Sequence, residues 1–441
     1  MGKKILIAGA GHGGLVAGAY LAEKGFDVEL FEKKKREDLG YDWHDTMKNS
    51  TFSLAGIDNV EENDIHLRKD SIFYPPSISV AVTVPDTPKE KKEYEVDRKT
   101  LYRYLIGNAE NKGVKLHYKK SVDGPLIIDG SVSGLIVNGE DTKGNLVIDA
   151  AGMYSPVREA LSKSYGISAD FSSNDIFHTF RGYFNLVEGA EIIKADRFNI
   201  YFKFMGLRGI AWFKVTEGMA DVLVGSVDSL DDKAVECALS ALRKVQPALG
   251  TTLLCGGQIK DIPLKSTLTL FVGDGYAAVG DSASMPYPLN GSGITNSIAA
   301  GKMLAEVVIE ATEKGKALDS HTLWEYQKKY FKEIGAKMAS VCVMKNCLLN
   351  YSVNALDFLF VKKILTEKEL GAGASDKELK LTTADIIEKI WRGILRPISL
   401  FKLAKAGANS RKAKAAALAI PENYDINAIK EWQKRVESYL K

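Results

Sequence analysis

The chain has 441 residues, and its 59 basic and 56 acidic side chains leave a formal net charge of +3, which does not favour nucleic acid as a partner. A hydrophobic fraction of 45% is ordinary for a globular protein, and the length is sufficient for two domains and an appendage. No run reaches about 18 apolar residues, so we expect no membrane-spanning helix.

The cysteines and the N-terminus indicate the compartment. The four cysteines form no C-x-x-C pair, and the histidines are too scattered for a zinc pattern. Scattered cysteines are typical of a reducing cytosol. The first residues lack the apolar segment of a secretion signal. We therefore expect a cytoplasmic protein without a metal site.

The first predicted elements are a short apolar strand at residues 5–8 and a helix at residues 13–25. The turn between them consists of Gly9, Ala10, Gly11, His12, Gly13 and Gly14. Gly9 permits the tight turn, Gly11 lets the backbone approach a pyrophosphate, and Gly14 allows close helix–strand packing. The start of the helix offers N–H groups to the phosphates, which His12 helps to position.

A second strand at residues 27–31 leads to Glu32 and Lys33. Glu32 lies about 20 residues beyond the glycines, where an acidic side chain accepts hydrogen bonds from a ribose 2′-hydroxyl. The strand, the glycine turn, the helix and this acid together predict a dinucleotide site, to which we assign Glu32 and Lys33.

Two later segments add to this site. Residues 147–152 read V-I-D-A-A-G, ending at Gly152, and are followed by S-P-V-R at residues 155–158. The apolar residues 276–279 lead into Gly280 and Asp281, and a helix is predicted at residues 294–308. The N-terminus of that helix is suited to an anion or a flavin carbonyl.

These motifs resemble the para-hydroxybenzoate hydroxylase superfamily of flavoproteins, and the matched motifs span residues 5 to 305. The resemblance implies FAD as the cofactor and an α/β fold with a Rossmann-like FAD-binding domain of the glutathione reductase type. It places Asp281 at the ribityl chain, Arg98 of a D-R-x-x-L motif near the FAD, and Val122 at the adenine. It also implies that the cofactor contacts Gly152, Pro288, Gly291, Gly293 and Ile294.

Within the superfamily, residues 280–294 are most similar to the geranylgeranyl reductase branch. Aromatic hydroxylases usually carry a histidine where Ser284 stands. Two residues depart from the pattern of the reductase branch, since Lys214 replaces a proline and Asp221 an asparagine. Residues 39–47 also lack the cysteine that many such reductases place there. The W-x-W-x-I-P motif of the flavin-dependent halogenases is absent.

The predicted FAD-binding domain is discontinuous, at residues 1–70, 96–160 and 265–312. A β-rich substrate domain comprises residues 71–95, expected to form a hairpin-like segment, and residues 161–264. Strand-like runs at residues 177–228 predict an antiparallel sheet. Trp212, Phe204 and Phe213 either line an apolar cavity on this sheet or belong to its core.

Residues 313–441 are predicted to be mostly helical. Residues 400–416 carry five basic and no acidic side chains between apolar ones. Two interpretations stay open: a helix that rests on an anionic membrane surface, or a capping domain with a solvated basic face.

The resemblance implies an FAD-dependent reductase of carbon–carbon double bonds in a small apolar, isoprenoid or lipid-like substrate. The external electron donor is either NAD(P)H or a ferredoxin-like protein, because no second dinucleotide fingerprint is evident. His44 is the first candidate for proton donor, with Asp45 beside it and Tyr287 as a further candidate facing the flavin. Alternatively, residues 41–45 form a packed loop beside the cofactor. An FAD-dependent monooxygenase and a non-catalytic carrier are the competing functions.

Overall fold

The computed structural model describes residues 2–85, 93–167, 170–194, 197–374 and 382–440. The charged run within the predicted 71–95 segment, residues 86–92, lies outside the described residues. Within these residues the fold is mixed α/β, with four sheets and a helical C-terminal region, which confirms the predicted fold class.

The first sheet carries the predicted dinucleotide site. Its six strands are, in spatial order, β18 (Val272–Gly273), β19 (Tyr276–Ala278), β12 (Leu146–Asp149), β1 (Lys4–Ala8), β2 (Asp27–Glu32) and β8 (Lys115–Tyr118). Every pair is parallel except β18 with β19. The apolar runs of β1 and β12 are buried because helices and other strands cover both faces of a parallel sheet.

Five helices belong to this part of the chain. They are α1 (His12–Glu23), α2 (Thr51–Leu54), α3 (Arg98–Asn111), α4 (Pro156–Tyr165) and α6 (Ile294–Glu313). The helices α1 and α6 cross at their glycines, since a Cβ atom on Gly301 would lie 2.1 Å from the carbonyl oxygen of Gly13. Residues almost 300 positions apart therefore meet backbone to backbone beside the glycine turn.

The second sheet has seven strands. In spatial order they are β17 (Leu249–Pro263), β13 (Ile176–Leu186), β16 (Met219–Ser226), β15 (Gly209–Thr216), β14 (Phe198–Phe202), β5 (Ser71–Tyr74) and β6 (Val82–Val84). The pairing is antiparallel, as expected, except that β14 and β5 run parallel. Helix α5 (Asp232–Val245) buries an apolar face against this sheet.

Two three-stranded antiparallel sheets complete the β structure. One contains β11 (Glu140–Lys143), β10 (Ser131–Val137) and β9 (Val122–Ile128); the other contains β3 (His44–Lys48), β7 (Glu93–Asp97) and β4 (His66–Leu67). Strand β7 spans the domain boundary predicted at residue 95. It pairs with β3 and leads directly into α3, so it brings the segment around His44 beside Arg98.

The C-terminal region is helical, as predicted. Its helices are α7 (Ser320–Tyr330), α8 (Ala336–Leu349), α9 (Val353–Val361), α10 (Glu367–Ala374), α11 (Thr383–Gly393), α12 (Pro397–Leu418) and α13 (Ile426–Leu440), with a π-helical segment at Phe331–Gly335. Trp324, Phe331 and Trp432 join this region to the core of the first sheet. Among the described helices, none has the length and apolar character that crossing a bilayer requires.

The crossing of α1 and α6 can be tested by substituting Gly301→Ala. The new methyl group would overlap the backbone of Gly13, so the two helices must separate, and we expect a loss of about 1 to 3 kcal/mol in the free energy of unfolding. Urea unfolding followed by tryptophan fluorescence measures the change.

The matched control is Gly107→Ala in α3, where no atom lies within 4 Å of the added Cβ. This substitution is expected to stabilise the protein by up to about 1 kcal/mol, because alanine restricts the unfolded chain and favours helix. Equal effects of the two substitutions would show that the helix crossing is not tight.

Candidate active site

The glycine turn lies at the carboxyl end of β1, against the end of β2. Gly9 has a positive φ of 82°, which few residues other than glycine adopt. The carboxylate of Glu32 accepts the backbone N–H groups of Ala10 at 2.9 Å and Lys34 at 2.8 Å. Glu32, which the sequence predicts to bind the ribose, therefore holds the glycine turn in place, whereas the neighbouring Lys33 is exposed.

Close packing explains two further glycines of the turn. A Cβ atom on Gly14 would lie 2.6 Å from the Cβ of Ala150, and one on Gly11 would lie 2.6 Å from the Ala150 carbonyl oxygen. The packing role expected for Gly14 agrees with this geometry. At Gly11, the Ala150 carbonyl oxygen already excludes any larger side chain, whether or not a phosphate also approaches the backbone there.

The segment ending at Gly152 supports the loop that carries Asp281. The carboxylate of Asp149 is buried and accepts hydrogen bonds from the hydroxyls of Ser155 at 2.6 Å and Ser282 at 2.9 Å. The hydroxyl of Ser282 in turn accepts the N–H of Gly152 at 2.9 Å. Asp149 thus links the two loops predicted to contact the cofactor.

The remaining cofactor candidates lie at the ends of secondary-structure elements. Gly293 is the N-cap of α6 and provides no side-chain cap, so the first N–H groups of that helix are available to a ligand. Ile294 is its first residue, while Pro288 is buried in the preceding loop and Gly291 has a φ of 72°. Val122 begins β9, two residues after Lys120 N–H donates to the Glu32 carbonyl.

Arg98, the first residue of α3, is the centre of a cluster of titratable groups. Its guanidinium forms an ion pair with Asp45 and lies close enough to His12 and Asp281 to influence both. Burial alone would raise the pKa of Asp45, but Arg98 and Arg181 outweigh it and lower that pKa. Burial raises the pKa of Asp281, and Arg98 only partly opposes the shift.

His12 is neutral in this cluster. Burial, reinforced by the positive charge of Arg98, lowers the pKa of His12 to about 3. Its Nε2 atom is buried and has no hydrogen-bond partner among the described residues. A neutral ring with an unused nitrogen is suited to contacting a ligand and unsuited to donating a proton near neutral pH.

His44 points away from the Arg98 cluster, because successive side chains of a strand lie on opposite faces. It is 8% exposed; its Nδ1 atom lies 3.4 Å from the Tyr183 hydroxyl and its Nε2 atom 3.5 Å from Glu217. His66 is 3.6 Å from the same carboxylate. The ligand atoms of His44, His66 and Glu217 lie within 4.8 Å of one another, so this trio could also accommodate a metal ion.

The structure therefore brings Asp45 together with His12, Arg98 and Asp281, but not His44. Tyr287 is buried in a small apolar cluster with Met338 and Val341 of α8. Catalytic roles for these residues stay predictions. Phe204 and Phe213 belong to the core of the seven-stranded sheet, which favours the second interpretation given above for them.

Arg181 was not singled out from the sequence, yet it connects the two halves of the site. Its guanidinium donates to Asp221 at 3.0 and 2.7 Å and to the His44 carbonyl at 2.6 Å, and it lies 3.5 Å from Asp45. Its side chain is 7% exposed. The isolated arginine in an apolar strand was the available signal, because a buried guanidinium requires partners.

Lys214 extends this set of charges. Its ammonium group lies 2.7 Å from Glu95 and 3.5 Å from Asp221, with both carboxylates buried. Although burial would raise the pKa of Asp221, Arg181 and Lys214 lower it. The resulting buried charge chain alternates in sign through Arg98, Asp45, Arg181, Asp221, Lys214 and Glu95.

The buried charge chain explains the two departures from the reductase pattern. Lys214 and Asp221 are directly opposite each other on β15 and β16. A lysine in place of proline and an aspartate in place of asparagine thus form a cross-strand ion pair, and neither charge is left uncompensated.

Cys255 is a second residue near the site that could not be identified from the sequence. Its thiol lies 3.6 Å from the carbonyl oxygen of Asp42, in the segment where the expected cysteine is missing. Burial raises the pKa of this thiol, with Asp42 adding to the effect. The long separation between residues 42 and 255 left no local signal for this contact.

Two family models match parts of the chain. A model described as an NAD(P)-binding Rossmann-like domain matches residues 7–53, which contain the glycine turn and Glu32. A model described as tryptophan halogenase matches residues 80–175, which contain Arg98, Val122 and Gly152.

The similar proteins span most of the chain. A digeranylgeranylglycerophospholipid reductase from Sulfolobus acidocaldarius is 23% identical over 449 residues, covering 99% of this chain and 97% of the relative. A solved geranylgeranyl bacteriochlorophyll reductase-like structure from Thermoplasma acidophilum has a TM-score of 0.72 at 21% identity, covering 92% of this chain and 99% of that one.

A probable FAD-dependent monooxygenase from Pseudomonas aeruginosa has a TM-score of 0.59 at 18% identity, covering 79% of this chain and 97% of that one. The chain thus has geranylgeranyl reductase-like homologues and the fold of the FAD-dependent monooxygenases and halogenases. This confirms the resemblance identified from the motifs, and it supports a flavin cofactor.

The buried charge chain predicts that Lys214→Met destabilises the protein by about 3 to 5 kcal/mol, because Glu95 would lose its partner. The double variant Lys214→Met/Glu95→Gln should be at least about 1 kcal/mol more stable than the sum of the single effects predicts. Urea unfolding of all four proteins in the cycle measures this coupling.

The exposed pair Lys314–Glu310 is the control, and Lys314→Met is expected to change the free energy of unfolding far less than Lys214→Met does. Additive effects of the Lys214 and Glu95 substitutions would contradict the proposed coupling.

The low pKa of His12 predicts a pH-dependent stability of the apoprotein. Between pH 6.5 and 3 the unfolded chain binds a proton at this position that the folded chain does not, so folding is weakened as the pH falls. Relative to His12→Asn, the wild-type protein should lose about 2 kcal/mol more of its unfolding free energy between pH 7 and pH 5.

Urea unfolding at the two pH values tests this, with His321→Asn at an exposed histidine as the control. A pH dependence unaltered by His12→Asn would mean that His12 titrates normally in the folded protein.

Proposed function

We propose that this protein is an FAD-dependent reductase that saturates carbon–carbon double bonds in an isoprenoid or lipid-like substrate. The observation that carries the proposal is the similarity to a digeranylgeranylglycerophospholipid reductase across 99% of this chain. The shared fold with a geranylgeranyl reductase-like structure supports it.

The described residues fit FAD as the flavin. Helix α1 begins after Gly11 and α6 after Gly293, and neither N-cap carries a side-chain cap. Apart from the Gly13 N–H, which donates to Ser297, the N-termini of these two helices thus offer N–H groups and positive dipole ends, as a dinucleotide phosphate and a flavin carbonyl require. The unused Nε2 atom of His12 is a further polar group on this side of the turn.

We assign the parts of the cofactor as the motifs suggest. Residues 9–14 would hold the pyrophosphate, Glu32 the ribose, and the segment at Val122 the adenine. Arg98 and Asp281 would contact the flavin half, together with residues 288–294. Glu32 already accepts the Ala10 N–H, so the same carboxylate would fix both the turn and the ribose.

When bound, FAD supplies the hydride chemistry. The residues of the chain would orient the double bond, exclude water and provide a proton. We propose His44 as the source of that proton: its buried imidazole lies beside the Tyr183 hydroxyl, on the face of β3 away from Arg98, and the proton is needed on the side of the double bond opposite the hydride. Burial raises the pKa of Tyr183, so the phenol stays protonated and can hold the His44 ring in one orientation.

Asp45 would act as a positioning residue. Its carboxylate lies between Arg98 and Arg181, so it fixes the cationic groups on the cofactor side of β3. The external reductant is either NAD(P)H or a ferredoxin-like protein. We infer a cytoplasmic location for the enzyme, with peripheral contact to the inner face of a membrane.

The reaction can be tested with photoreduced holoenzyme under anaerobic conditions. We expect a digeranylgeranyl glycerophospholipid to reoxidise the flavin and to give a saturated product, followed by flavin absorbance and mass spectrometry. An enzyme that ignores the lipid but forms an oxygen adduct in air would be a monooxygenase. Flavin that no physiological donor reduces would instead favour a carrier.

The role of His44 predicts that His44→Gln lowers kcat by about 10²- to 10⁴-fold, with FAD content and substrate KM unchanged. His66→Gln is the matched control, since His66 contacts the same Glu217 from the exposed side.

Full turnover by His44→Gln would exclude His44 and direct attention to Tyr183 and Asp45. Equal losses in both histidine variants, with the same loss on adding a chelator, would mean that the trio binds a metal ion and that His44 is not a simple proton donor.

A further inference from the structure

The helix α11 and the start of α12 expose an unusual number of large apolar side chains. Of the 21 large hydrophobic residues exposed in the described part of the chain, eight lie between residues 386 and 401. These eight residues form what we call the apolar tip: Ile386, Ile387, Ile390, Trp391, Ile394, Leu395, Ile398 and Phe401. Trp391 is 71% exposed and Leu395 73%.

The orientation of α11 is the reverse of that of an ordinary surface helix, whose apolar face is turned toward the core. Its polar side is attached to the protein: Lys389 donates to the Ile364 carbonyl at 2.6 Å and pairs with Glu369 at 3.1 Å. Asp385 pairs with Lys368 at 2.6 Å. The apolar side is left toward solvent, so these contacts hold the tip outward.

The rest of α12 is packed, which separates the tip from the body of the protein. Ala413 and Ala417 are fully buried, and the Ser410 hydroxyl lies 2.7 Å from that of Ser340 on α8. The C-terminal half of α12 therefore caps the fold, and only its N-terminal half contributes to the apolar tip.

The charge around the tip is strongly positive. Residues 386–405 contain five basic side chains and one acidic side chain, a net charge of +4, and of the five basic side chains Lys389 pairs with Glu369 and Arg392 with Glu388. Arg396, Lys402 and Lys405 are exposed beside the apolar residues. Apolar side chains with tryptophan among them and a basic rim are the composition of segments that lie in the interface of an anionic bilayer.

We propose that the apolar tip inserts into the headgroup region of an anionic lipid surface. A second copy of the chain is a less suitable occupant, because a two-fold contact through this face would bring two sets of positive charges together. Lipid headgroups of negative charge match the rim, and acyl chains match the eight apolar residues. The proposal rests on the peripheral membrane contact inferred above and assigns that contact to named residues, and binding can be measured without turnover.

The first experiment measures sedimentation of the FAD-loaded protein with phosphatidylcholine vesicles, with and without phosphatidylglycerol. We expect binding that is stronger with phosphatidylglycerol and weaker at high salt. The variant Trp391→Ser/Leu395→Ser should lower the partition coefficient at least about tenfold on both vesicles. The variant Arg396→Gln/Lys402→Gln should lower it about tenfold or more on the anionic vesicles and little on the neutral ones.

The matched control is Ile127→Ser/Ile128→Ser, two exposed apolar residues on β9, and it should bind vesicles as the wild type does. FAD content and thermal unfolding of each variant establish that it is folded. Wild-type protein that binds neither vesicle, or equal binding by the tip variant, would overturn the proposal. So would a dimer that the same tip variant dissociates, since the occupant would then be a second copy.

Because vesicle binding is independent of the flavin reaction, the two proposals fail separately. A protein that binds vesicles but does not reduce the lipid would keep the membrane surface and lose the reductase. A protein that reduces detergent-dispersed lipid but ignores vesicles would keep the reductase and lose the membrane surface.

Discussion

The buried charge chain from Arg98 to Glu95 is the interaction on which the arrangement of the site depends. It joins the start of α3 and the β3–β7 pair to the seven-stranded sheet through Arg181 and Lys214. A buried charge without a partner is costly, so each member fixes the position of the next. The segment at residues 44–45 is consequently held between the start of α3 and the seven-stranded sheet, with Asp45 turned toward Arg98 and His44 toward Tyr183.

Hydrogen bonds between distant segments likewise fix the positions of the loops that are predicted to contact the cofactor. The N–H of Gly13, near the start of α1, donates to the Ser297 hydroxyl of α6 at 3.0 Å and so joins the glycine turn to that helix. Asp149 connects the Gly152 and Asp281 loops through Ser282. Segments separated by more than a hundred residues thus form one preorganised surface, as a cofactor that spans the domain requires.

The structure of the C-terminal region bears on both interpretations that the sequence left open. Basic residues at 402–414 indicated either a membrane contact or a cap; the packing of the C-terminal half of α12 supports the cap, and the membrane contact stays a proposal. The alanines of α12 pack against α8, whereas the exposed apolar residues lie further toward the N-terminus, in α11 and the first turns of α12.

Local sequence patterns were sufficient to predict β1, the glycine turn, α1, β2 and α6, because apolar runs and glycine spacing determine these elements within a few residues. They did not reveal β17, which contains two adjacent glycines of positive φ and many exposed residues, nor the parallel pairing of β5 with β14. The amino-acid sequence by itself determined the fold class and the residues of the dinucleotide motif. Only the tertiary structure decided which charged side chains pair, on which face of β3 each side chain lies, and which helix exposes its apolar face to solvent. These features depend on contacts between segments that are distant in the sequence.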